Sequence, residues 1–326
     1  MRTLLEHSVM SPEKALTRRQ VIGGTASLLG LTSIGGHRVA AHQASPTTSS
    51  TRIVETIHGP VEVPAHPQRI VAITYIASIA VVELGTMPVG ITRWVPDLPP
   101  DFPELSDVAI IENEAYELDI EAIIALQPDL ILGADVVEVA DQGTPYEVLS
   151  RIAPTALFEW TSGGANWEVQ AAGCAEALGR TAEFAALRDA YEEEAMRIKT
   201  SYADLLADLT VDFIDAGDSE WYLHGPASTH CKVAIDAGVH LGAGADQEET
   251  FTGFSFEQLN MLVDTGALVA RGGAISSLDA LYAIPTFASL PAVRANHVMA
   301  SDYFYTASYA QSNALLSELE SGLQAL

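Results

Sequence analysis

Tyrosines, tryptophans and arginines collect at one kind of place in this chain. Tyr75, Arg93, Trp94, Trp160, Trp221, Tyr222, Arg271, Tyr303 and Tyr305 all stand at the ends of short apolar runs of strand length, or in the loops just beyond them. Three of the four tryptophans belong to that set, and the fourth, Trp167, begins a helical pattern and is expected to pack in a core. Aromatic faces with a few guanidinium and phenol donors are suited to gripping. They cover the apolar rim of a bulky organic molecule and donate hydrogen bonds to its carbonyl oxygens. Bond-breaking chemistry has less to work with, for the chain shows no HExxH, no GxSxG, no paired CxxC and no phosphate-binding glycine loop. Its carboxylates are abundant, but no spacing singles out an acid–base pair. His224, His230, Cys231 and His240 fall close together and are of metal-ligating type. The first half has no histidine at a strand end to complete such a site, His58 and His66 lying in a hairpin and its exit. Surface histidines without a metal are therefore expected, in a binding protein and not an enzyme.

The elements that would position these residues alternate. QRIVAIT (68–74) is a continuous apolar run of strand length, IASIAVVELG (76–85) has helical spacing and PVGIT (88–92) starts a second strand, which is the parallel crossover unit. In LDIEAIIALQPDLILGAD (118–135), Asp119 is a good N-cap, an isoleucine-rich stripe follows, Pro128 stops the helix and LILGA reads as a buried strand. Residues 181–207 contain no Gly or Pro, and their apolar residues recur at three- and four-residue intervals. That spacing predicts one long amphipathic helix, about 40 Å long at 1.5 Å per residue. After it the strand–helix grammar restarts. The expected fold is α/β: two Rossmann-like lobes, 51–180 and 208–326, joined by a single long helix at 181–207, with a ligand cleft between them. Ligands of open α/β sheets bind beyond the carboxyl ends of the strands, where the aromatic residues fall.

Arg18 and Arg19 directly precede a mildly apolar stretch too short to span a bilayer, the pattern of a twin-arginine export signal at 1–41 followed by a flexible leader at 42–50. The two cysteines, Cys174 and Cys231, both lie far from that signal. The mature protein is therefore expected outside the cytoplasm, in the periplasm or its equivalent, free in solution and not a lipoprotein. The two thiols, placed in different lobes, are expected to be unpaired and half-buried. Removing residues 1–41 takes five basic and two acidic residues from 16 and 43, leaving 11 against 41 and a formal charge of −30. Nucleic acid and anionic membrane surfaces are poor partners for such a chain.

The helix-then-strand pattern of 118–135 is written a second time in FSFEQLNMLVDTGALVARGG (254–273). With VEVPAHPQRIVAIT, ELGTMPVGIT, LSRIAPTALFEW and LPAVRANHVMASD, these stretches resemble, in order, the substrate-binding proteins of ABC importers for ferric siderophores, cobalamin and haem. The resemblance covers some 250 residues of the mature chain, and LSRIAPT leans toward the ferric-siderophore branch. It implies capture of a ferric siderophore between two helix-linked lobes, with iron(III) carried inside the ligand and no cofactor of the protein's own. Haem, cobalamin or a bare metal ion are the alternatives, and a secreted enzyme is a more distant one. It also implies transient docking on ABC permease subunits through one exposed glutamate per lobe, Glu121 in LDIEAI and Glu257 in FSFEQL, by an unanchored monomer. Each glutamate, taken alone, also reads as a carboxylate satisfying a helix N-terminus. Phe251, with Tyr303 and Tyr305, aligns with loops that carry aromatic ligand contacts in hydroxamate-binding relatives. One departure stands out: where those relatives place an arginine before the first docking helix, this chain reads IIENEAYELD, with Glu112, Glu114 and Glu117. A neutral or weakly charged ferric siderophore is the expected ligand.

Overall fold

The computed structural model describes residues 50–92, 102–112, 117–135, 144–160, 166–217, 219–271 and 278–326. The export signal, nearly all of the leader, and Arg93, Trp94 and Glu114 lie outside them.

An antiparallel hairpin of β1 (Thr51–Thr56) and β2 (Gly59–Pro64) opens the fold. It turns at His58-Gly59, where Gly59 has φ 92°, a left-handed backbone that a β-carbon would strain. The first lobe follows as β3 (Ile70–Ala72), α1 (Tyr75–Glu83), β4 (Gly90–Ile91), β5 (Ala109–Ile110), α2 (Ile120–Ala125), β6 (Leu130–Asp135), α3 (Tyr146–Leu149), β7 (Thr155–Glu159) and α4 (Trp167–Leu178). Its five strands are parallel in the order β5-β4-β3-β6-β7. β3 and the first five residues of β6 are buried throughout, as strands covered on both faces must be, which is why both read as unbroken apolar runs.

The linking helix α5 runs Thr181–Ser201, or about 31 Å at 1.5 Å per residue, and α6 (Ala203–Leu206) follows a break at Tyr202. The expected single rod over 181–207 is thus shorter. The Tyr202 backbone leaves the helical region, and its hydroxyl donates to Glu320 (3.2 Å) and accepts from Gln324 Nε2 (3.1 Å). Tertiary hydrogen bonds outweigh local propensity there.

The second lobe comprises β8 (Thr210–Ala216), β9 (Trp221–His224), α7 (Thr229–Asp236), β10 (His240–Leu241), β11 (Phe251–Phe254), β12 (Ala267–Arg271), α8 (Leu278–Tyr282), α9 (Pro285–Ala288), α10 (Pro291–Arg294), β13 (Val298–Ser301) and α11 (Tyr309–Ala325). Its sheet runs β11-β9-β8-β12-β13, with β10 also on β8. The β10, β8, β12 and β13 strands are parallel, while β9 and β11 form an antiparallel edge. A 3₁₀ helix at Phe256–Leu262 precedes β12 as α2 precedes β6, so the twice-written sequence pattern is a twice-built unit.

Each lobe has an apolar cluster of its own, and a larger one is shared between them. One buried apolar cluster runs from Leu132, Trp167 and Cys174 through Tyr191, Ala195 and Ile198 of α5 to Phe213, Val233, Leu315 and Leu319. The Trp167 and Tyr309 rings meet edge to face at 4.9 Å across this seam, and Lys232 Nζ lies 3.6 Å from Glu168. Glu83, at the end of α1, reaches the first turn of α11 and accepts from the backbone N–H of Ala310 (2.7 Å) and of Tyr309 (3.4 Å). Burial pushes its carboxyl up to about 7 even though both N–H groups pull the other way. Cys174 and Cys231 are free and fully buried, which corrects the half-buried expectation, and burial raises both thiols to about 12. Among the described residues no helix is long and apolar enough to cross a membrane.

Candidate functional site

The carboxyl end of β3 begins the site. Thr74 caps α1, its hydroxyl accepting from the Ala77 N–H at 3.3 Å, and so aims Tyr75 off the sheet edge. The Tyr75 ring meets Trp160, just past β7, at 6.1 Å and edge to face. Burial lifts the Tyr75 phenol to about 12, so at neutral pH it is a hydrogen-bond donor.

Opposite it, the second lobe presents Tyr222, Phe251, Arg271 and Tyr305. The Tyr222 hydroxyl donates to Glu220 at 2.7 Å, which raises its own pKa, and its ring stands edge-on to Phe251 at 5.6 Å. Phe251 is 45% exposed, a large apolar surface with no core to fill. The Arg271 guanidinium lies 5.5 Å from the Tyr305 ring centre, a cation–π contact, and 3.6 Å from Asp215 Oδ2. Tyr305 has φ 57°, a left-handed backbone that a bulky residue rarely adopts, held in part by its N–H donating to His230 Nδ1 at 3.2 Å. Burial raises the Tyr305 phenol, with smaller effects from Asp215 and Arg271 and then from Tyr222 and Tyr75. Tyr75, Trp160, Tyr303 and Tyr305 all pack, partly buried, against the same apolar cluster. Tyr303 is half-buried, its N–H donating to Ser301 Oγ at 3.1 Å.

Two expectations are corrected here. His224 and His230 are not surface residues but fully buried, their rings 4.6 Å apart beneath Phe304 and Tyr305. Because His230 Nδ1 accepts from Tyr305, its proton sits on Nε2, and burial holds its pKa well below the usual histidine range. Neither nitrogen of His224 nor Nε2 of His230 has a hydrogen-bond partner among the described residues, an omission that costs about 1–3 kcal/mol per group. His240 is exposed, and among the described residues no group of three or more His, Cys, Asp or Glu is placed to hold a metal ion.

Trp221 is the second correction. Its indole is fully buried against Phe254 (5.3 Å), and its N–H donates to the Ser255 carbonyl at 3.0 Å. In β9 Trp221 and Leu223 face the core while Tyr222 faces out, the two-residue alternation of a strand. Trp221→Phe is expected to lower stability by about 1 kcal/mol in urea unfolding, through the lost hydrogen bond, and to leave ligand affinity within about twofold. Trp167 packs as expected, fully buried.

Glu121 and Glu257 are both exposed, each in the first turn after an N-cap. Asp119 accepts from Ala122 N–H at 3.0 Å, and Ser255 forms a reciprocal capping box with Gln258. At α2 the Asp119 cap serves the helix start, whereas the Glu257 carboxylate itself also accepts from its own backbone N–H. A hydrogen bond from Ser255 lowers the Glu257 pKa and keeps it ionised.

The model of the periplasmic binding protein family matches residues 90–303. The chain belongs to that family. Among solved structures, this periplasmic binding protein is similar to the siderophore periplasmic binding protein from the fuscachelin gene cluster of Thermobifida fusca. The TM-score is 0.72 at 29% identity, over 81% of this chain and 99% of the other. Staphylococcus aureus SirA complexed with staphyloferrin B gives 0.66 at 20% identity over 84% of this chain and 99% of its own, a likeness of fold. Over 126 residues this periplasmic binding protein is 36% identical to the probable siderophore-binding lipoprotein YfiY of Bacillus subtilis (strain 168). That match spans 37% of this chain and 37% of the relative.

The last comparison corrects the expectation that this periplasmic binding protein is not a lipoprotein, since a relative of its family is named as one. A cysteine count addressed a single attachment chemistry and did not carry a conclusion about anchoring. Work outside the cytoplasm is what the family supports.

Proposed function

We propose that this protein captures a ferric siderophore between its lobes and delivers it to the permease of an ABC importer. The observation that carries this reading is that Tyr75 and Trp160 of one lobe and Tyr303 and Tyr305 of the other pack against one apolar cluster, with Arg271 beside Tyr305. The whole-chain likeness to a siderophore periplasmic binding protein supports it. Aromatic faces cover the chelate's apolar rim, phenol and guanidinium donors meet its carbonyl oxygens, and iron(III) travels inside the ligand with no protein atom required to touch it. The buried seam along α5 and α11 restricts the lobes to a modest closure. Closure brings Glu121 and Glu257 to the spacing two permease subunits accept.

Tryptophan fluorescence titration tests this with ferric hydroxamate, catecholate and carboxylate chelates, and with haem and cobalamin as controls. Saturable quenching by a ferric chelate is expected; a response to haem or cobalamin alone would overturn the assignment. Trp160→Ala and Tyr75→Ala, followed by calorimetry, are each expected to weaken chelate binding about 10- to 100-fold, as loss of a central aromatic contact does.

A further inference from the structure

We propose that Asp215 sets the charge preference of the cleft, so that the ligand is a neutral or cationic ferric chelate and anionic chelates are excluded. This rests on the siderophore reading above. Among the described residues at or just beyond the strands' carboxyl ends, Glu112, Asp135, Glu159, Asp215 and Asp302 are acidic and Arg271 is the one cation. Among the described residues that guanidinium is committed: Asp215 Oδ2 sits 3.6 Å from Arg271 Nη1, which offsets its attraction for an anionic ligand. Glu220, bonded to Tyr222, adds a further negative charge beside the same aromatic residues.

Asp215 differs from its neighbour on the strand, Asp212. The Asp212 carboxylate is fully buried and accepts from Ala243 N–H (2.9 Å), Gly244 N–H (2.8 Å) and Thr265 Oγ1 (2.5 Å), a structural use that accounts for its charge. Asp215 has Arg271 on one side and, at 3.8 Å, His224 Nε2 on the other. Behind that pair the His224 ring is fully buried beside Phe251 and Tyr305, with no hydrogen bond at either nitrogen among the described residues. The field of the whole chain, formally −27, points the same way by attracting cations and repelling anions at long range.

The test is fluorescence titration of the mature chain with two probes, a monocationic ferric trihydroxamate bearing a free ammonium and a trianionic ferric tris(catecholate). Wild type is expected to prefer the cation, with an association rate that falls as salt rises. In Asp215→Asn the preference falls at least about tenfold, mainly through tighter binding of the anion, whereas Asp215→Glu retains it. Glu220→Gln, on an exposed residue whose loss does not threaten folding, shifts the preference in the same direction by a smaller factor. An unchanged preference in both Asp215→Asn and Glu220→Gln, or a wild type that favours the tris(catecholate), overturns the inference and leaves the siderophore reading standing. Binding of neither chelate overturns both.

Discussion

Glu121→Lys is expected to cut chelate uptake by whole cells at least about tenfold while the Kd of the purified protein for its ligand stays unchanged. Glu257→Lys should do the same. Both carboxylates are exposed and each follows an N-cap, so replacing them is expected to leave the fold and the cleft intact. Juxtaposing like charges at an interface costs several kcal/mol, which is why reversal is more telling than neutralisation. The double reversal should be no worse than background, and complementary Glu substitutions in the permease should restore part of the uptake. A loss of ligand affinity in either single variant would move these residues from docking to binding and end the proposal.

Glu83→Gln is expected to stabilise the protein by about 3 kcal/mol at pH 8 and to change nothing at pH 4.5. The sign follows from burial: the folded carboxyl titrates at about 7 against an ordinary value of 4.5, so the folded protein holds a proton that the unfolded chain has released. The penalty is absent below 4.5, grows as pH rises through the window and is complete above 7, at about 1.4 kcal/mol per pH unit of difference. His230 acts in the opposite direction, because its lowered pKa costs stability as pH falls below the usual histidine range. Wild type and variant share that contribution, so the difference between their urea-unfolding curves isolates Glu83. Glutamine keeps a carbonyl oxygen to accept from Ala310, which preserves the contact between α1 and α11. Curves that run parallel from pH 4.5 to 8 would show that Glu83 is ionised in the fold like any surface glutamate.

The alternating architecture was legible because its signals are local. Asp119 caps α2, the isoleucines behind it form its apolar stripe, and β6 is an apolar run because both its faces are covered. Glu121 and Glu257 were singled out by the resemblance, in the matched stretches LDIEAI and FSFEQL. Burial within the site was not local. Trp221 had the outward signs of a ligand contact, yet the alternation Trp221, Tyr222, Leu223 was already there to say that of the three only Tyr222 points away from the core. Nothing in the spacing of His224 and His230 says that Phe251, Phe304 and Tyr305 close over them, since those rings arrive from β11 and from the loop after β13. The pairing of Asp215 with Arg271 joins two parallel strands more than fifty residues apart, which only the sheet order reveals. Such long-range pairing is not contained in a sequence read element by element.

The buried seam through α5 and α11 has a consequence for how such a protein changes over time. Neither half can cover its flank of those helices alone, so a lobe taken from a relative would meet a mismatched surface and the hybrid would have to be repacked throughout. Strand-end loops carry no such obligation. New ligand preferences are therefore expected to arise by single substitutions near the strand ends, at positions such as Asp215, Glu220 and Phe251, and not by shuffling of halves.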